Sequence, residues 1–179
     1  NLENRMRFPL AVVDAVTDIV KKHQRPDFIV GYRFSPEEAG DNGITMAETF
    51  ALIDALVTKP LQYLHVSLWD FYKLARRGAD ETRTRIEQLH ARIGGKLPLI
   101  GVGNIYTGEQ AEQAFATGWA EFIALGKTLL LNPNWAELAA NGGEFATEID
   151  PEHAEAYRLP ARMLALSLQG TLAWLPPVK

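Results

Sequence analysis

Short apolar runs alternate with helical ones along this chain, and that alternation leaves very few folds open. FIVGYRFS (28–35), YLHVSLWD (63–70), PLIGVGNI (98–105) and FIALG (122–126) are brief and rich in β-branched and aromatic residues. That is the composition of buried strands. Near-continuous apolar strands separated by helices predict a parallel sheet covered on at least one face, since parallel strands must be joined by crossovers. Two arrangements fit, half of a (β/α)8 barrel or a small doubly wound sheet. No G-x-G-x-x-G opens the first helix, which counts against a dinucleotide-binding doubly wound domain.

The helices are read from period and punctuation. Phe8, Val12, Val13, Val16, Ile19 and Val20 recur at the 3.6-residue period of an amphipathic helix, with Pro9 in its first turn. Thr45 and Glu48 stand at capping-box spacing ahead of a helix reaching about Lys59-Pro60. Ile86, Leu89 and Ile93 mark a third helix that stops at Gly94-Gly95. A fourth covers 108–117, with Gly118 in the place of a C′ glycine. Asn132-Pro133-Asn134 leads into a short helix over 135–140. The segment 141–179 ends in an apolar tail without a clear period, so the chain divides into 1–140 and a C-terminal extension, 141–179.

Composition excludes several classes of function. A net charge of −4 leaves no nucleic-acid footprint. The chain has no cysteine, so it has no disulfide, thiolate metal site or cysteine nucleophile. This suits a reducing, cytoplasmic setting. No apolar run approaches the ~20 residues that span a bilayer. No His/Asp/Glu spacing suggests a metal, and no nucleophile motif appears. The chain begins at Asn1 rather than methionine, which suggests processing, an expression fragment or missing upstream residues.

The last two strands both end in glycine, at Gly103 and Gly126. In (β/α)8 barrels the final βα loops frequently bind phosphate through backbone N–H groups, where a Cβ would obstruct the approach. Lys127 would add a point charge to the same site. The plainer alternative is that both glycines only permit tight turns.

Several segments, in order, resemble one family. NLENRMRF, VGYRFSPEE and PLIGVGNIYTGEQAEQAFATGWAEFIALGKTLLLNPNW are similar to old-yellow-enzyme-like NADH-dependent flavin oxidoreductases and NADH oxidases over most of 1–140. The resemblance implies strands five to eight of a (β/α)8 barrel that holds FMN at the strand C-termini, with NAD(P)H as co-substrate. It implies that Arg33 lies against flavin N1 and the C2 carbonyl, that Val102, Gly103 and Asn104 meet the phosphate, and that Gly126 and Lys127 meet it from the other side. At 127 the family pattern has arginine; lysine keeps the charge and loses the bidentate fork. Without the resemblance, a local salt bridge is the expected role for Arg33.

Other residues carry weaker expectations. Asp70 ends a strand where barrels place catalytic groups, but a loop or capping role is expected for it; Trp69 and Tyr72 beside it could cover a ligand. Glu37 and Glu38 read as a solvated loop. Arg76-Arg77 reads as wet surface, or as a contact to a nucleotide such as NADH. His65 reads as a satisfied interior or loop-facing residue, and His23 and His90 as surface residues near helix C-termini. In the tail, Arg158, Arg162 and Trp174 could reach a neighbouring site, while Leu159, Met163, Leu166 and Leu175 would pack on outer helices or a partner.

Four strands leave two open edges. The chain is therefore expected to pair with a second copy or with the missing half of a barrel. No catalytic group is assigned within these residues. The expected function is part of an FMN-dependent NAD(P)H oxidoreductase acting on a small molecule, with the isolated chain inactive. The alternatives are a non-catalytic half barrel binding FMN or another phosphorylated ligand, and a different phosphate-binding barrel enzyme.

Overall fold

The computed structural model describes residues 1–157, 159–170 and 174–179. Four parallel strands form one sheet in sequential order: β1 (Gly31–Phe34), β2 (Tyr63–Val66), β3 (Leu99–Val102) and β4 (Phe122–Ala124). A helix precedes β1, α1 (Leu2–Lys22), and helices follow each strand: α2 (Met46–Leu56), α3 (Arg85–Ile93), α4 (Gly108–Ala116), then α5 (Lys127–Leu131) and α6 (Trp135–Asn141). The tail adds a 3₁₀ turn over Pro151–Ala156 and α7 (Ala161–Leu168). All four strands stand where the apolar runs predict them, each shorter than its run. α5 is not expected from the sequence; it starts at the residue after Gly126.

Side chains close the helix ends. The Thr45 hydroxyl accepts from the Glu48 amide at 3.3 Å, and the Glu48 carboxylate accepts from the Thr45 amide at 2.9 Å. A second capping box joins Thr107 and Gln110 at α4. Gly94 ends α3 in the left-handed conformation. α1 begins well before Pro9, because the Asn1 side chain caps it by accepting from Asn4 N at 3.0 Å. The helix then runs through the proline.

α1 also turns a different face inward from the one its strongest apolar stripe suggests. Val13 is buried, and Met6, Leu10 and Val20 pack on the core. Phe8, Val12, Val16 and Ile19 are exposed. The period is that of the sequence, but the helix carries two apolar stripes and only one meets the sheet.

Register and alternation sort the sheet into two faces. Phe34, Leu64, Val66 and Leu99 are buried with Leu52, Ile53 and Leu56 of α2 and Ile86, Leu89 and Ile93 of α3. Arg33 pairs in register with His65, His65 with Ile100, and Ile100 with Phe122. On this second face Arg33 is exposed and Phe122 is 57% exposed. No helix among the described residues is long and apolar enough to cross a membrane.

Candidate functional site

The C-terminal ends of β3 and β4 meet at one cavity of about 100 Å³. Val102, Gly103 and Asn104 line it from one side, Gly126 and Lys127 from the other, with Trp69 and Tyr106 at its edge. The structure thus brings together all the residues expected at the phosphate. Arg33 stands apart, on the open sheet face.

The two glycines are there for different reasons. Gly103 has φ of +140°, and an added Cβ would lie 2.5 Å from Phe71 N and 2.6 Å from the Asp70 carbonyl carbon. The Phe71 amide donates to Gly103 O at 3.1 Å. The immediate cause of this glycine is a main-chain crossing inside the protein, a reason neither sequence reading contained. Gly126 differs. Its φ is −130°, and a Cβ there would meet no atom within 4 Å. Packing within the described residues does not demand glycine at 126, and the space beside it is open. The first turn of α5 has no side-chain cap; the Leu129 amide donates to Gly126 O at 3.0 Å.

A buried network holds the two strand ends in register. The Thr128 hydroxyl donates to Tyr106 O at 2.8 Å, and the Trp135 indole N–H donates to the same oxygen at 2.7 Å. The Asn132 amide donates to Thr128 Oγ1 at 3.1 Å and to Ala146 O at 2.8 Å, while Ala146 N donates back to Asn132 Oδ1 at 2.9 Å. Thr128 and Asn132 are buried. Sequence reasoning missed both; the only local signal was the Asn132-Pro133 punctuation.

The charges differ from expectation. Lys127 Nζ lies 4.1 Å from the centroid of the Trp69 ring. Arg33 makes no ion pair among the described residues, so the local salt bridge expected for it is absent. Its charge and, more strongly, partial burial lower the pKa of His65 below the ordinary value of 6.5. His65 Nε2 is buried without a hydrogen-bond partner, so this histidine is interior but not satisfied. His90 pairs with Glu121 at 2.9 Å, and His23 and His153 are exposed.

The loops after β1 and β2 hold another surprise. The Glu37 side chain is completely buried rather than solvated, with Arg85 Nη2 at 2.9 Å, Arg76 Nε at 3.5 Å and Arg77 Nε at 3.7 Å. Arg77 also donates to the carbonyls of Gly40 at 2.8 Å and Glu38 at 2.9 Å. The basic pair is therefore a clamp between two loops. Burial lowers the pKa of Arg85, which Glu37 partly offsets. Asp70 has the loop role expected of it, accepting from Tyr72 N at 2.8 Å.

The tail reaches the same end of the sheet. Leu175 is buried and, with Pro176 and Val178, shares a cavity of about 380 Å³ with Trp69, Asn104, Tyr106 and Lys127. Leu175 therefore packs at the mouth of the strands rather than on the outer helices. Arg162 is exposed and Trp174 is 46% exposed; Arg158 lies outside the described residues. Among those residues no cluster could hold a metal ion.

A parallel α/β layer in sequential strand order, with a small cradle at its strand C-termini, is the architecture of part of a (β/α)8 barrel. Comparison with known proteins gives the family. Residues 1–144 match the model of the NADH:flavin oxidoreductase / NADH oxidase family, and the chain belongs to it. It is 43% identical over 176 residues to the "Probable NADH-dependent flavin oxidoreductase YqiG" of Bacillus subtilis (strain 168), covering 97% of this chain and 47% of that protein. It is 35% identical over 163 residues to the NADH:acrylate oxidoreductase of Vibrio harveyi, covering 89% of this chain and 16% of that protein. Among solved structures, morphinone reductase in complex with tetrahydroNAD superposes with a TM-score of 0.62 at 27% identity, covering 92% of this chain and 40% of that one. The chain thus spans less than half the length of these relatives, and it corresponds to part of their barrel. The chemistry of the family is that of flavin and NADH.

Proposed function

We propose that this chain is the FMN phosphate-binding portion of an NAD(P)H-dependent oxidoreductase that acts on a small electron-poor acceptor, such as an activated alkene, a quinone or oxygen. The observation that carries the reading is the convergence of residues 102–104 and 126–127 on one small cavity, with open space beside Gly126. Backbone amides and the Lys127 ammonium suit a phosphate monoester. Bound FMN would supply hydride transfer. On the open face of the sheet, Arg33 would place a fixed cation near flavin N1 and the C2 carbonyl, where negative charge develops; it makes no ion pair among the described residues, which supports that role. Further strands of the same barrel would cover that face, with 141–179 as an extension at its mouth.

The test is flavin binding and turnover by the intact protein. FMN should bind with its visible absorbance perturbed and more tightly than riboflavin, which lacks only the phosphate, and NADH should be consumed with an enone acceptor. Equal affinities for FMN and riboflavin would remove the phosphate assignment. Flavin binding without NADH consumption would favour a non-catalytic half barrel.

A further inference from the structure

An exposed tryptophan beside an unpaired lysine needs a reason. Trp69 is 64% exposed, yet it does not float free. The next two residues, Asp70 and Phe71, cross the Gly103 backbone, and the Phe71 amide donates to Gly103 O at 3.1 Å. The indole lines the cavity on a segment that this main-chain packing anchors. Lys127 lines the same cavity, its ammonium 4.1 Å from the ring centroid. It makes no ion pair among the described residues.

We infer that Trp69 is the positioning residue for Lys127, holding the ammonium at the cavity so that a phosphate monoester meets a pre-placed charge. The inference rests on the phosphate reading above. A lysine is a point charge on a flexible stem and lacks the planar fork by which a guanidinium orders itself on an anion. The indole face supplies that order from outside: it attracts a cation and leaves the ammonium's donors free toward the ligand. Position matters because Lys127 sits at a junction. It lines both the small cradle and the larger cavity closed by Leu175 and Pro176. Without the ring, the stem can carry the charge into the larger space. Tryptophan fits the task better than the smaller aromatics, since cation–π attraction is strongest on its face.

The experiment is a double-mutant cycle on the intact protein, with FMN and riboflavin as probes and dissociation constants read from flavin fluorescence. Trp69→Leu should weaken FMN about three- to ten-fold, the range of a partly exposed cation–π pair, and leave riboflavin unchanged. Trp69→Phe should retain part of the FMN affinity. Lys127→Gln should weaken FMN selectively, and adding Trp69→Leu to it should cause no further loss, because the ring would then have nothing to place. Equal weakening of both flavins by Trp69→Leu, or losses that simply add in the double variant, would overturn the positioning role while the phosphate site stands. If Lys127→Gln leaves the FMN-to-riboflavin ratio unchanged, the phosphate reading at this residue falls and the inference falls with it.

Discussion

Replacing Glu37 with glutamine should be among the most costly isosteric changes available in this chain. The glutamine oxygen can occupy the place of Oε2 and keep the bonds from Arg85 Nη2 at 2.9 Å and from the Arg76 amide at 3.2 Å. The amide nitrogen then takes the place of Oε1, which has no hydrogen bond of its own but faces Arg76 Nε at 3.5 Å and Arg77 Nε at 3.7 Å. Shape and most bonding survive; the charge does not. The three guanidiniums are unequally placed. Those of Arg76 and Arg77 have 48% and 31% side-chain exposure, so water screens them and each loses about 1 kcal/mol or less. Arg85 has 10% exposure and would be left as a nearly buried, uncompensated cation. Removing one partner of a buried pair typically costs ~3–5 kcal/mol, and the retained hydrogen bonds argue for the lower end. The expected loss is therefore about 3 kcal/mol, or ~6–12 °C in Tm for a chain of this size. Urea titration reads it as a lower midpoint with an unchanged slope. Arg76→Gln, which touches the wetter partner, should cost under about 1 kcal/mol. A Glu37→Gln variant within about 1 kcal/mol of the parent would show that the carboxylate's desolvation cancels its attraction to the arginines, and the clamp argument would fail.

Further expectations follow from the site. Gly103→Ala should cost at least about 2 kcal/mol, since it combines a left-handed φ with a main-chain collision, whereas Gly126→Ala, at the N-cap of α5 where glycine outranks alanine, should cost only about 0.5–1 kcal/mol and weaken FMN relative to riboflavin; thermal melts with and without flavin separate the two. Thr128→Val should cost about 0.5–1.5 kcal/mol, read by urea titration, because Tyr106 O keeps its bond from Trp135 and Asn132 keeps its bond to Ala146 O. His65 has a folded-state pKa below its unfolded value of 6.5, first through desolvation and then through Arg33. The unfolded chain therefore takes up the proton more readily, so the stability held above about pH 6.5 falls as the pH drops below it. Urea midpoints at pH 7.5, 6.5 and 5.5 should show that decline, and His65→Gln should reduce it.

The elements of residues 1–141 other than α5 are legible in the sequence because their signal is local, whereas the 3₁₀ turn and α7 of the tail are not. Thr45 and Glu48 announce α2 at three residues' distance, Gly94 and Gly118 end helices where helical φ must stop, and the four apolar runs centre on the four strands. α5 escaped because five residues, KTLLL, are too few to show a period and follow a strand without a break. The phosphate candidates on β3 and β4 were found because two glycine-ended strands in sequence point to one end of a parallel sheet. Arg33 was found by resemblance, and what surrounds it is a tertiary matter.

The amino-acid order alone settled the alternation and the helix boundaries that carry caps, which depend on neighbours a few residues away, and it pointed to Gly103 and Gly126 as candidates for one site. Only the folded chain decided which stripe of α1 faces inward, that Glu37 is buried among Arg76, Arg77 and Arg85, that Gly103 yields to the backbone of Asp70 and Phe71, and that Lys127 rests on Trp69. Each of these is a contact between residues some thirty or more positions apart, or a competition between two acceptable faces. Burial and charge pairing are properties of such meetings, and no local pattern encodes them.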